Sequence, residues 1–148
     1  MNNSDDKTKE LLSEVYRNLK MGSENLCSVT PKIKNRFMLT NVTSQLNKYA
    51  KYTEKCNSLI RENSIKVKEP SKAKKLMARG GIMMNTLIDS SDAHIAQMIV
   101  RGTNMGANTL GNLISDCKNS GCSKEAVELG EAVVEFEQNE ANKMKDFT

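Results

Sequence analysis

Apolar residues recur along the chain at alternating spacings of three and four, the mark of one buried stripe on an α-helix. The first series is Leu12, Val15, Leu19, Gly22, Leu26 and Val29. It follows Asn3, Ser4, Asp5 and Asp6, residue types that satisfy the free amides of a helix N-terminus and complement its dipole. Pro31 cannot occupy a helix interior and disfavours helical torsions at Thr30, so the helix ends there. Thr30 and Pro31 also suit the N-cap and first position of the next helix. The second series, Leu39, Val42, Leu46, Tyr49, Thr53, Cys56 and Ile60, predicts a helix running to about Asn63.

Ser64 to Pro70 mixes charges with β-branched residues, ends at a proline and reads as a connection. A third helical region is expected from Ser71 to Cys117, through Ala73, Met77, Met84 and Leu87, then Ile95, Met98, Gly102, Met105, Leu110 and Leu113. As one helix it would be about 70 Å long at 1.5 Å per residue. That excess, with the capping cluster Asp89-Ser90-Ser91-Asp92, predicts a kink or a split into two helices near 89-92; Gly80-Gly81 is a second weak point. The last helix opens at Ser123, carries Ala126, Leu129, Val133 and Phe136, and closes near Lys143 and Lys145. No stretch alternates with period two, so no strand is expected. The expected fold is all-α: an antiparallel four-helix bundle packing near +20°, with residues 1-148 forming a single domain.

Composition agrees with this pattern. The chain has 148 residues, aromatics at 4% and no Trp, which speaks against β-sandwich architecture. Its longest charge-free runs fall far short of the roughly 20 residues of a membrane span, so no membrane association and a cytoplasmic location are expected. Charge is segregated. Lys32 to Arg79 holds thirteen Lys or Arg against Glu54, Glu62 and Glu69, a net of +10, whereas Ser123 to Thr148 holds seven acids against three Lys, a net of −4. Either the two segments lie near one another as solvated faces, or the basic one holds an external anion such as nucleic acid. Only Phe37, Tyr49 and Tyr52 are available there to stack on bases. Tyr49 and Tyr52 are expected at the core edge, their hydroxyls reaching water or a neighbouring helix.

Cys27, Cys56, Cys117 and Cys122 read as free thiols, because a core of this size needs no cross-link. Cys117 and Cys122 flank a turn, where a local disulfide or half of a metal site is conceivable; zinc would require two more Cys or His close by. Gly102 and Gly106 lie four apart on one helical face. Each costs about 1 kcal/mol relative to Ala, so the expected return is close helix packing inside the bundle or across an oligomer seam, with Met98 and Met105 filling irregular gaps. They are not a phosphate loop, since no strand precedes them and no Lys-Ser or Lys-Thr pair follows.

The stretch His94-Ile95-Ala96-Gln97-Met98-Ile99-Val100-Arg101-Gly102-Thr103-Asn104-Met105-Gly106 resembles a helix of small helical-bundle proteins of the Bacillus and Clostridium type, which look like the ferritin-like superfamily. Gln97 and Arg101 depart from that pattern, and the likeness covers about thirteen residues. It brings no activity with it. Ferritin-like di-iron sites draw a Glu from each of two helices and Glu-x-x-His from each of the other two. This chain has one histidine, preceded at three residues by Ser91, so a standard di-iron site is not expected. His94 is the one weak metal candidate, in a mixed site with Glu24, Glu54 or Glu137; the plainer role is a first-turn, half-exposed histidine. A His94 and Met98 pair cannot serve both axial positions of one haem, and no nucleophile is placed beside a base. No cofactor and no catalytic residue are expected. The protein is expected to act by association, as a homo-oligomer or with a protein partner. Polyanion binding through 32-79 and an atypical metal or redox site at His94 are the alternatives.

Overall fold

A computed structural model of the protein describes residues 3–67 and 89–148. The described residues form four long helices, α1 (Asn3–Val29), α2 (Arg36–Glu62), α3 (Asp92–Asn119) and α4 (Lys124–Met144), and contain no strand. α1 ends where Pro31 requires it to. Thr30 and Pro31 do not open α2, however: they form a separate 3-10 turn, Thr30–Lys32, and the chain then extends through Ile33. The cap of α2 is Asn35, whose side chain accepts from the amides of Phe37 and Met38. The Asp92 carboxylate fixes this shift by accepting from the amides of Lys34 and Asn35 at 2.9 and 2.8 Å.

α2 finishes in a Schellman turn, with Ser64 at φ 54° and the Ile65 amide donating to the Ile60 carbonyl. α3 begins at Asp92 with Ser91 as its cap, so the break expected near 89-92 is present on its C-terminal side. The helical region expected from 71 to 88, with Gly80-Gly81, lies outside the described residues. α3 also ends in a Schellman turn. Gly121 takes φ 73°, and the Cys122 amide donates to the Cys117 carbonyl. That motif brings its first and last members into side-chain contact, and here the contact is covalent: Cys117 and Cys122 form a disulfide across Cα atoms 5.3 Å apart. The expectation of four free thiols is corrected for this pair. Cys27 and Cys56 are free.

α1 packs against α2 and α3, and α4 packs against α3 and α2. Asn18 meets Gly106 while Lys7 meets Cys117, and Lys48 meets Glu140 while Tyr52 meets Phe136, so α1 runs opposite to α3 and α2 opposite to α4. α2 and α3 therefore run the same way. The chain leaves α2 at one end of the bundle and re-enters at Asp92, beside the start of α2, about 40 Å away. The Ser123 amide donates to Thr8 Oγ1, docking the α3–α4 corner on the first turns of α1.

The core follows the α1 stripe closely, with Leu12, Val15, Leu19, Leu26 and Val29 all buried. In α2 the buried line is Met38, Val42, Gln45, Tyr49 and Cys56. Leu39 sits at the exposed limit and Leu46 is only partly buried, because the inward face of α2 runs one position earlier, through Met38 and Gln45. In α3, Ala107 rather than Met105 faces the core, and Met105 is 65% exposed.

Candidate functional site: a buried carboxylate pair between α2 and α4

The apolar stripe of α4 continues through two acids. Glu137 and Glu140 stand one turn apart on the inward face and are 1% and 3% exposed. A buried carboxylate is costly unless a partner satisfies it. α2 supplies both partners from adjacent positions. The Tyr49 hydroxyl donates to Glu137 Oε2 at 2.8 Å, and Lys48 Nζ lies 2.7 Å from Glu140 Oε1, with Lys143 Nζ at 3.5 Å.

The position of Tyr49 depends on a glycine. A Cβ at Gly22 of α1 would lie 2.8 Å from the phenol ring, so the bare backbone there makes room for it. The ring is fixed from its other neighbour by Phe136, edge-on at 4.9 Å. Asn18 of α1 donates to the Gly106 carbonyl at 3.0 Å and completes a polar layer across the middle of the bundle.

Burial pushes the Glu137 carboxyl up to about 7, against the opposing pull of hydrogen bonds from Tyr49 and Asn18. Glu137 Oε1 is buried and has no partner among the described residues. Burial, followed by the neighbouring Glu137 charge, holds the Tyr49 phenol well above its ordinary value, so the proton they share stays on the phenol. Lys48 is raised chiefly by its hydrogen bond to Glu140. A cleft of about 330 Å3 opens to solvent beside this ladder, lined by Lys48, Tyr52, Phe136, Asn139, Glu140 and Lys143 among others.

The layer provides one internal acid that titrates near neutrality and one internal ion pair. It does not provide a nucleophile and base. Burial drives the Cys56 thiol up to about 12, and its Sγ–H is turned toward the Leu12 carbonyl, so the reactive thiolate is suppressed. His94 lies in the first turn of α3, its amide donating to Ser91 Oγ and its Nε2 buried with no partner among the described residues. Twelve residues, about 18 Å, separate it along α3 from Gly106, which Asn18 ties to the level of Glu137. Glu54 is exposed on the outside of α2. The described residues bring no three His, Cys, Asp or Glu together as a metal-binding group.

The four residues expected at a packing position or seam divide. A Cβ at Gly106 would meet the Asn18 amide at 3.2 Å, so Gly106 serves a close internal contact. Gly102 meets nothing within 4 Å and is exposed, Met98 is partly buried, and Met105 points outward. The pairing of Glu140 with Lys48 was not anticipated from sequence. Its signal was present: Val133, Glu137, Glu140 and Met144 keep the spacing of the buried stripe. Comparison with protein-family models, curated proteins and solved structures finds no match.

Proposed function

We propose that the protein is a non-catalytic bundle of the ferritin-like class, without a standard di-iron site, that acts by association with itself or with a protein partner. The class is supported by the helix order, two antiparallel pairs joined by one connection that spans the bundle. The buried acids support a non-catalytic reading, since a phenol and an ammonium already partner Glu137 and Glu140. One observation carries the association itself. Gly102 sits in the interior of α3 with open space where its side chain would be, beside the outward Met105. A mid-helix glycine costs about 1 kcal/mol, and no contact within the described chain repays it.

Sedimentation velocity over a wide concentration range tests the self-association reading: growth in mass with concentration supports it, and a monomer throughout contradicts it. A cytoplasmic location belongs to this reading. The Cys117–Cys122 bond weighs the other way, since reducing compartments rarely preserve such links. No helix among the described residues is long and apolar enough to cross a membrane.

A second reading, binding of nucleic acid or another polyanion through 32-79, is favoured by the pattern of ion pairs. Of the eight Lys and Arg from Lys32 to Lys66, only Lys48 has a carboxylate partner among the described residues. Among the described residues, mutual neutralisation by the acidic last helix is thus confined to one pair. Binding to a labelled duplex that weakens steeply with salt would support this reading, and binding that is absent at low salt would remove it.

A further inference from the structure

We infer that the outward face of α3 pairs antiparallel with the same face of a second copy, about a two-fold axis between Asn108 and Thr109. This rests on the association reading above and names its surface and occupant. Arg101, Met105, Asn112 and Asp116 are all exposed and fall within about 60° of arc at 3.6 residues per turn. On this outward half of α3, Arg101 and Asp116 are the only Lys, Arg, Asp or Glu. The outward surface of α2, by contrast, carries Arg36, Lys51, Glu54, Lys55, Arg61 and Glu62. Neither Arg101 nor Asp116 has an ion-pair partner among the described residues.

The two charges are placed symmetrically. Each lies seven and a half positions from the point between Asn108 and Thr109, about 11 Å along the axis. An antiparallel second copy centred there sets Arg101 against Asp116 of the second copy, and Asp116 against Arg101 of the second copy, as a two-fold interface requires. Met105 then lies opposite Asn112 of the second copy, and Gly102 presents no side chain to hold the backbones apart. At a crossing angle near 20° the helices diverge by only about 4 Å at the two charges, within reach of an arginine. A parallel pairing would set Arg101 against Arg101 and Asp116 against Asp116, so the charge pattern selects the antiparallel arrangement.

The test is sedimentation velocity on the full chain as wild type, Arg101→Glu, Asp116→Arg and the double variant. Both positions are exposed, and an unchanged helical circular dichroism spectrum verifies that each variant folds. Each single reversal places like charges together twice in a symmetric pair, so its dissociation constant should rise at least about tenfold. The double variant restores both pairs and should return to within about threefold of wild type. A wild-type oligomer indifferent to the single reversals, or a double variant without rescue, would overturn this seam and leave the association reading standing. A wild-type monomer at every concentration would overturn the seam and self-association together.

Discussion

The hydroxyl of Tyr49 reaches Glu137 because residue 22 has no side chain. The phenol ring occupies the space a Cβ at Gly22 would fill, and from there its oxygen lies 2.8 Å from Glu137 Oε2. One glycine on α1 thus allows a residue of α2 to satisfy a buried acid of α4. Gly22→Ala should destabilise the protein by about 1 to 3 kcal/mol, although alanine is the better helix former, because the ring is pinned by both Glu137 and Phe136. Gly102→Ala, in open space, should leave the folded monomer unchanged or up to about 1 kcal/mol more stable. Urea denaturation of the two variants checks the contrast, and equal effects would contradict it.

Glu137 makes stability depend on pH with a definite sign. Its carboxyl is raised in the folded state from an ordinary 4.5 to about 7, so folding favours the protonated form. The contribution is fully present below about 4.5, is lost as pH rises through about 7, and leaves a charged buried carboxylate above that. The span corresponds to about 3 kcal/mol. Glu137→Gln keeps the shape and removes the charge. It should flatten the stability profile between pH 5 and pH 8, and be more stable than wild type at pH 8. A parallel pair of profiles would show that Glu137 does not titrate in this window.

The half-buried position of Leu46 predicts a modest loss, below about 2 kcal/mol, for Leu46→Ala. Leu12→Ala, at a fully buried position, should cost about 2 to 5 kcal/mol, and Lys51→Ala should stay within about half a kcal/mol. Chemical denaturation ranks the three. A cost for Leu46 equal to that for Leu12 would contradict the orientation of α2.

Reduction of Cys117–Cys122 opens only a six-residue loop, so the stability lost should be about 2 kcal/mol by loop-closure entropy. Cys122→Ser should reproduce it without reductant. Retained stability in both would show that the Schellman turn at Gly121 holds the corner unaided.

The helices were legible because their stripes are regular: α1 and α4 match the apolar spacing, and Ser91 and Ser123 cap α3 and α4. The start of α2 was not, because Asn35 owes its position to a carboxylate fifty-seven residues away at Asp92. Apolar character alone also misled. Leu39 and Met105 look like core residues and face outward, while Gln45, Glu137 and Glu140 look like surface residues and are buried. The spacing of α4 already put both acids on its inner face. What it could not supply was the identity of their partners, since Lys48 and Tyr49 meet them across about ninety residues of sequence. The disulfide was half legible: the turn between Cys117 and Cys122 leaves a local disulfide open beside free thiols, and the Schellman geometry at Gly121 decides between them.

Native mass spectrometry of the full chain, purified without chelator, tests the central claim most directly, because one spectrum counts subunits and bound mass together. The account predicts an oligomer, a dimer if α3 is the seam, whose mass is that of its chains alone. A monomer at every concentration would contradict self-association and with it the α3 seam, and a stoichiometric metal or small molecule retained on the chain would contradict the non-catalytic reading.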